Sequence, residues 1–541
     1  YKYRITDVQL ANGYIKNITL ESSDGTKLGK SIAAKVFIDC TYEGDLMAKA
    51  GVSYMIGRED NKQYGETYNG VQLMKGHQFP DGVDPYKIKG DSTSGLLWGI
   101  SPAALSSDGT GDELIQAYNY RICLTDNPAN KIEITRPENY DSTKYELLLR
   151  LFDAQPNKRK LNHYFIWSRM PNNKTDINNR GGFSTDMIGM NHNYPEASYE
   201  ERAEIIKAHK DYTQGLLYFY KTDPRVPQEL RDEIQAWGYP KDEYTEDNHW
   251  SPQLYIRESR RMTGDYVMTQ AHCEGRETVT DGIGMAAYTM DSHNCQRLLV
   301  KKDGKYMVKN EGNVEIGGGL PYPISYRSII PKEEECKNLL VPVCLSASHI
   351  AYGSIRMEPV FMVLAQSAAI AAAEAINTGS VQTVDIKKVQ ALLHENPLLD
   401  GSFSEILIDD SELDLSINND WEVIKKQGGY GPTFLKSKVR NGSPVRFSPH
   451  MEHEGKYKVY TYYHMRKDIS PAITYSISDG IDSWTRVIHK DSVRIEGQTT
   501  GEWIELGTYN FQKSPMPYIE ISTGDTSGAV IADAVLFIPV K

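Results

Sequence analysis

Charged and proton-carrying side chains gather in three short stretches of this sequence. Tyr255-Ile256-Arg257-Glu258-Ser259-Arg260-Arg261 sets Arg257, Arg260 and Arg261 beside Glu258. A guanidinium cluster suits recognition of a carboxylate or stabilisation of an anion. The same residues also suit an internal ion-pair network, and the sequence leaves both readings open. Met290-Asp291-Ser292-His293 offers a histidine, the side chain that moves a proton near neutral pH. The richest stretch is Ser346-Ala347-Ser348-His349-Ile350-Ala351-Tyr352-Gly353-Ser354-Ile355-Arg356-Met357-Glu358-Pro359, which runs from an apolar segment to the start of a small-residue helix. A helix N-terminus carries partial positive charge and unpaired amides, so it favours an anion or an electron-rich ring edge. His349, Arg257, Arg261 and His293 are therefore the candidate catalytic residues.

These stretches need a scaffold. Residues 5–41 read as a β-meander, with Asn12-Gly13 and Asp24-Gly25 as turn pairs that tolerate positive φ. The nearly continuous apolar run Lys35–Thr41 suits a strand buried on both faces of a parallel sheet. Glu43-Gly44-Asp45 and the helical Leu46–Ala50, stopped by Gly51, complete a strand, turn and helix of the kind that forms the ligand edge of an α/β sheet. The region from about 60 to 320 is polar, with helices predicted over Tyr199–Lys221 and Arg225–Trp237. Asn338–Val343 returns the chain to the sheet. A long helix is predicted over Pro359–Asn377, with Pro359 in its first turn and Thr378-Gly379 as its stop. After about residue 415 the pattern changes to short alternating strands that point to an antiparallel sandwich, with Asp409–Glu412 as a linker. The expected organisation is an α/β body over residues 1–415 and an all-β sandwich over 416–541. Within the body, a cofactor sheet from 1–58 and 335–395 flanks a substrate-side region at 59–334.

Asn338 through Ala373 closely resembles the C-terminal cofactor motif of a family of FAD-dependent oxidoreductases, and Phe37–Gly51 resembles the strand, acidic turn and helix that precede it. Ala117–Thr125, Tyr255–Arg261, Asp281–Met285 and Ile324–Pro331 extend the resemblance over about residues 5–410. It implies an FAD/NAD(P)-binding-type layered body, FAD as cofactor and hydride transfer to it. It also implies that Glu43, Gly44, Asp45, Ser346, Gly353, Ser354, Arg356 and Glu358 face the cofactor, with the helix N-terminus at the flavin pyrimidine edge. The family's opening GxGxxG turn has no counterpart, since Gly282-Ile283-Gly284 and Gly317-Gly318-Gly319 lack a strand-to-helix context. The Rossmann half is thus incomplete. Pro342-Val343 stands where relatives often carry Gly-Arg, and Ala365 and Ala369 stand where a glycine permits closer approach. Both departures predict weak FAD binding by this chain alone. Trp503–Tyr509 and Val530–Phe537 resemble the signature strands of a golvesin- and xanthan-lyase-associated β-sandwich. That company implies a carbohydrate- or surface-binding accessory domain and a periplasmic or extracellular location, with plain packing against the body as the alternative.

Bulk composition narrows the classes. The 541 residues are 40% hydrophobic and 24% charged, which is ordinary for a globular chain with a sizeable core. A net charge of -12 without a dominant basic cluster argues against nucleic acid. No run of 18 apolar residues appears, so no membrane span is expected. Cys40, Cys123, Cys273, Cys295, Cys336 and Cys344 lack CxxC spacing, which predicts neither a metal site nor a disulfide framework. The 35 tyrosines against 12 phenylalanines suit strand surfaces or stacking on amphipathic ligands. The leading reading is an FAD-dependent oxidoreductase acting on a small polar or sugar-derived substrate. A polysaccharide lyase and a non-catalytic glycan-binding protein with a vestigial flavin body are the alternatives. Oligomeric state has no sequence signal.

Overall fold

The computed structural model describes residues 2–24, 26–27, 29–318, 321–395, 402–413, 419–425, 429–431, 433–495, 501–523 and 527–540. Gly25, Gly319 and the expected boundary at 415/416 lie outside these. The chain divides into two compact units, Tyr1–Gln390 and Ala391–Lys541.

The first unit is mixed α/β. Tyr3–Ala11 and Tyr14–Ser22 form a hairpin in which Ala11 pairs with Tyr14, and the two turn residues Asn12 and Gly13 both take positive φ, 55° and 77°. That geometry is what an Asn-Gly pair supplies most cheaply. Lys30–Ile32 adds a third antiparallel strand. The parallel pairing is shorter than expected: only Phe37–Ile38 pairs with Leu339–Leu340. Asp39 is the reason. Its carboxylate accepts the Thr41 amide (3.0 Å), the Thr41 hydroxyl (2.6 Å) and the Met47 amide (3.0 Å). This side-chain turn ends the strand and fixes the Asp45–Lys49 helix at once. Asn338 ties the hairpin to the parallel pair, accepting from the Ile15 amide (2.8 Å) and donating to the Ile15 and Lys35 carbonyls (3.0 Å each).

The middle region holds the largest core. Tyr199–Thr222 begins with Ser198 and Glu201 in a reciprocal capping box. The second helix, Gln228–Gln235, is shorter than Arg225–Trp237, because Asp223 accepts both the Arg225 amide and its guanidinium ahead of the Pro227 cap. Tyr118, Tyr120, Tyr145, Tyr164, Tyr212 and Tyr220 are all buried in this core. The tyrosine excess thus serves the interior as well as surfaces. Tyr145 donates to the Tyr212 carbonyl (2.8 Å) and Tyr212 to that of Ser184 (2.7 Å), which is how buried phenols avoid a desolvation cost.

Glu358–Thr378 is the long helix, ended by Gly379 at φ 92°. Ser367, Ala368, Ala371 and Ala375 are buried, and the Ser367 hydroxyl donates to the Ile283 carbonyl (2.5 Å). A Cβ on Gly284 would meet Val363 at 2.9 Å, so the small residues and that glycine allow close helix-to-strand packing. By length and composition alone this helix is apolar enough to cross a membrane, a test that core helices also pass. Here its buried face packs within the α/β unit, while Met362, Val363 and Ile376 are exposed.

The second unit is antiparallel throughout its described sheets. Ile406–Asp409, Ala534–Pro539, Gly455–His464 and Gly501–Phe511 form one four-stranded sheet in that order. Val445–Phe447, Tyr518–Ser522, Ala472–Ser478 and Ser483–His489 form another. Val459, Phe511 and Phe537 from the first share a core with Phe447, Ile477 and Ile519 from the second. Ile406–Asp409 pairs with Ala534–Phe537, so the acidic stretch read as a linker begins inside this unit.

Asn338→Ala removes two buried hydrogen bonds, to the Ile15 amide and carbonyl, and a partly buried one to the Lys35 carbonyl. Urea unfolding is expected to show a loss of about 2–3 kcal/mol; an unchanged midpoint would show that Asn338 does not join the two sheets.

Candidate functional site

The Tyr255–Arg261 segment sends its charges in three directions. Arg257 is fully buried and donates to Asp186 (3.0 Å) and to the Ala117 carbonyl. Arg260 donates to Asp45 (2.8 Å), to Glu196 (2.8 Å) and to the Glu43 carbonyl (2.9 Å). Arg261 donates to Glu59 (2.6 Å) and to the Ala347 and Gly57 carbonyls. All three arginines are committed to ion pairs, as the ion-pair reading of the cluster expects. Asp186, the partner of Arg257, also holds His293, whose side chain is 12% exposed.

The group around His293 is assembled on the Met290–Ser292 strand, which pairs with Val314–Ile316. Alternation puts Asp291 and His293 on the half-buried side and Ser292 inside. His293 Nδ1 lies 2.6 Å from Asp186, and its Nε2 lies 3.7 Å from Asp291. Arg356 donates to the Asp291 carboxylate and carbonyl (3.0 Å each) and to the Tyr255 hydroxyl (3.4 Å). The Arg257 guanidinium stands 5.2 Å from the Tyr255 ring, and the His77 ring is 6.2 Å from that of His293. Burial would raise the Asp186 carboxyl, but Arg257 and His293 hold it below its ordinary value. Burial also lowers His77, and His293 adds to that effect. A carboxylate kept ionised behind an imidazole fixes its ring orientation and tautomer.

Behind this face lies a wholly buried layer. Ser292 Oγ is 2.9 Å from His349 Nε2, and His349 Nδ1 is 2.8 Å from Glu258. Gln116 donates to Glu258 (2.9 Å) and accepts the His293 amide (3.2 Å), linking the two layers. His349 Nδ1 faces Glu258 at ion-pair distance but has no hydrogen-bond partner, so the serine, histidine and acid do not form a continuous hydrogen-bonded chain. All three are at most 1% exposed and lie on the inner side of the strand carrying Asp291.

The residues expected at the cofactor are placed as follows. Glu43 accepts from the Tyr194 hydroxyl (3.0 Å), and Asp45 is held by Arg202 (2.7 and 2.9 Å) and Arg260. Burial raises Glu43; it would raise Asp45 too, but the two arginines keep that carboxyl below its usual range. Gly44 sits at φ 67° as the helix cap, where a Cβ would press on Cys344. Ser346 is buried and accepts the Gly264 amide (3.1 Å). Gly353 lets its helix lie on the Asp291 backbone, since a Cβ would fall 2.8 Å from that carbonyl oxygen. Ser354 accepts from the Tyr322 hydroxyl (2.7 Å) and donates to the Tyr288 carbonyl (2.6 Å). Arg356 joins the His293 group, and Glu358 is exposed in the first turn of the long helix. Most of these groups are thus engaged by protein partners. The buried Nε atoms of Arg257 and Arg356 have none. Arg356 directly precedes the long helix, whose N-terminus favours the electron-rich edge of a flavin ring. A nucleotide-holding glycine turn between a strand and a helix is absent among the described residues.

Asp186, Asp291, Ser292, Gln116 and Tyr255 were not singled out from sequence. Alternation along Met290–His293 was the available signal for Asp291 and Ser292. Asp186 carries none, because its partners are 71 and 107 residues away.

Burial would raise Glu258, yet His349, Arg261 and Gln116 hold it down to about 2, against 4.5 normally. A depressed carboxyl contributes stability above its unfolded value that is lost as pH falls through the folded one. Wild-type stability should therefore decline from about pH 4.5 toward 2 more steeply than that of Glu258→Gln. Parallel acid-unfolding curves would refute this role for the carboxylate.

Residues 1–393 match the model of the FAD dependent oxidoreductase family, and residues 406–539 match that of the Golvesin C-terminal domain. Among curated proteins none matches. Similar solved structures include a Paenibacillus xanthan lyase at 22% identity and TM-score 0.22, over 26% of this chain and 13% of that one. A Podospora anserina GH26-CBM35 mannanase is similar at 10% identity and TM-score 0.19, over 25% of this chain and 28% of that one. A family 35 carbohydrate binding module from Clostridium thermocellum is similar at 8% identity and TM-score 0.19, over 24% and 97%. The chain thus spans less than a third of the lyase and of the mannanase. With the family model covering most of its length, this chain belongs to the FAD dependent oxidoreductase family.

Proposed function

We propose that the Asp186–His293–Asp291 group, with Tyr255, Arg257 and Arg356, is the substrate face of an oxidoreductase acting on a small polar or sugar-derived molecule. The observation that carries this is His293 held at 2.6 Å by a fully buried Asp186 while the imidazole keeps 12% of its surface exposed. Such an imidazole can take a proton from a substrate hydroxyl as its carbon loses hydride. Arg356 and Arg257, with unpartnered Nε donors, orient polar oxygens or an anionic ring edge. FAD, when bound, supplies the hydride acceptor. The Rossmann-type layering and the roles of Glu43, Gly44, Asp45, Ser346, Gly353, Ser354 and Glu358 near it are part of this reading, supported by the family match. In the C-terminal unit the exposed Tyr430 ring, 5.2 Å from Trp503, supports a glycan-binding role and, with it, an extracellular setting.

One observation favours a second reading. Tyr255, His293, Arg257 and Arg356 together form the tyrosine, histidine and arginine set that β-elimination of a uronate needs, which no spacing in the sequence picks out. Unsaturated-uronate absorbance appearing without added flavin would select it.

Titration of the full chain with FAD is expected to perturb the visible flavin band. His293→Gln should keep that perturbation and lower the rate of substrate-dependent flavin bleaching by about 10²–10⁴. No spectral change at any FAD concentration would end the oxidoreductase reading for this chain.

A further inference from the structure

Three carboxylates of the C-terminal unit lie buried together. Asp409 ends the Ile406–Asp409 strand, Asp410 follows it, and Asp533 directly precedes Ala534–Pro539. The register pairs Asp409 with Ala534, which brings the three side by side. One oxygen from each lies within 4.8 Å of the others. Their exposures are 9%, 2% and 0%.

Each carboxylate is anchored from one side. Asp409 Oδ1 accepts the Ser411 amide (3.1 Å), Asp410 Oδ2 accepts the Thr433 hydroxyl (2.9 Å), and Asp533 accepts the Tyr430 amide (3.0 and 3.2 Å). Asp409 Oδ2 and Asp410 Oδ1 are buried acceptors with no hydrogen-bond partner. Glycines make room for these oxygens. A Cβ on Gly431 would fall 2.6 Å from Asp409 Oδ2, and one on Gly429 would fall 2.9 Å from Asp533 Oδ2 and 3.0 Å from the Thr433 carbonyl oxygen.

Unpaired buried acceptors are costly, and more so when they carry charge. The three carboxylates also crowd like charges within 4.8 Å of one another in a buried place. A cation between the oxygens removes both penalties. Oxygen-only ligands, with no thiolate or imidazole in the set, select a hard ion rather than zinc.

We propose that Asp409, Asp410 and Asp533 form a binding site for a divalent, oxygen-coordinated cation of the calcium type. The ion neutralises the cluster and pins the turn carrying Tyr430, whose ring lies 5.2 Å from Trp503 and 5.9 Å from Tyr462. The site thereby orders an aromatic surface of the C-terminal unit.

The test uses the full chain after chelation. Added Ca²⁺ in excess of its dissociation constant should raise the unfolding midpoint of the β-rich unit by about 5 °C. Tb³⁺ should give luminescence sensitised through Trp503 and Tyr430, displaced by Ca²⁺. Asp410→Asn and Asp533→Asn should abolish both responses, while Asp410→Asn without Ca²⁺ should be no less stable than the chelated wild type, because a like charge has been removed. Wild-type protein with neither a Ca²⁺-dependent shift nor sensitised emission overturns the proposal. So do responses that persist in both variants. The terbium signal is read on wild type, so poor folding of a variant does not blunt the test.

Discussion

A guanidinium cannot lose its charge inside a protein, so every buried arginine must bring a carboxylate or a set of carbonyls with it. Arg257, Arg260 and Arg261 impose that demand three times within one short segment, and much of the first unit is arranged to meet it. Asp45 comes from the turn after the parallel strand, Glu59 from the loop that follows it, and Asp186 from the polar middle region. The segment is therefore a hub. It joins the turn near the Asp45–Lys49 helix, the Gly57–Glu59 backbone and the strand that carries His293. Replacing one partner strands a buried charge, which costs far more than the pair contributes.

The hub spans a buried layer and a partly exposed one. Arg260 and Arg261 donate to Asp45, Glu196, Glu59 and carbonyl groups. Arg257, Arg261 and Arg356 each keep a buried Nε without a partner, and the Arg257 guanidinium stands 5.2 Å from the Tyr255 ring. Strand alternation does the rest, turning Ser292 inward to His349 while Asp291 and His293 meet the half-buried face. The buried layer holds the strand's position, and the outer layer offers acid, base and cation at one place.

Much of the scaffold was legible from sequence because its signals are local. Asn12-Gly13 dictates a turn, and Pro359 with Gly379 brackets a helix. The period-two strands of the C-terminal unit stand where alternation puts them. The failures have equally physical causes. The strand at Lys35–Thr41 was read too long because the Asp39 side chain, not backbone propensity, ends it. The acidic stretch after Ile406 looked like a linker because burial of a charged cluster leaves no sequence signal. The site was half legible: His293, Arg257 and Arg356 stand out by type, whereas Asp186 becomes visible only once distant segments are brought together.

The account rests on the Arg257–Asp186 pair being coupled more strongly than any pair across the three arginine networks, and double-mutant cycles by urea unfolding measure that directly. Arg257→Met with Asp186→Asn should show an interaction energy above about 2 kcal/mol, and the cross-pair Arg257→Met with Glu59→Gln should be additive within about 0.5 kcal/mol. Cross-network coupling as large as that within the Arg257–Asp186 pair would contradict it, and the segment would then be a single undivided ion cluster.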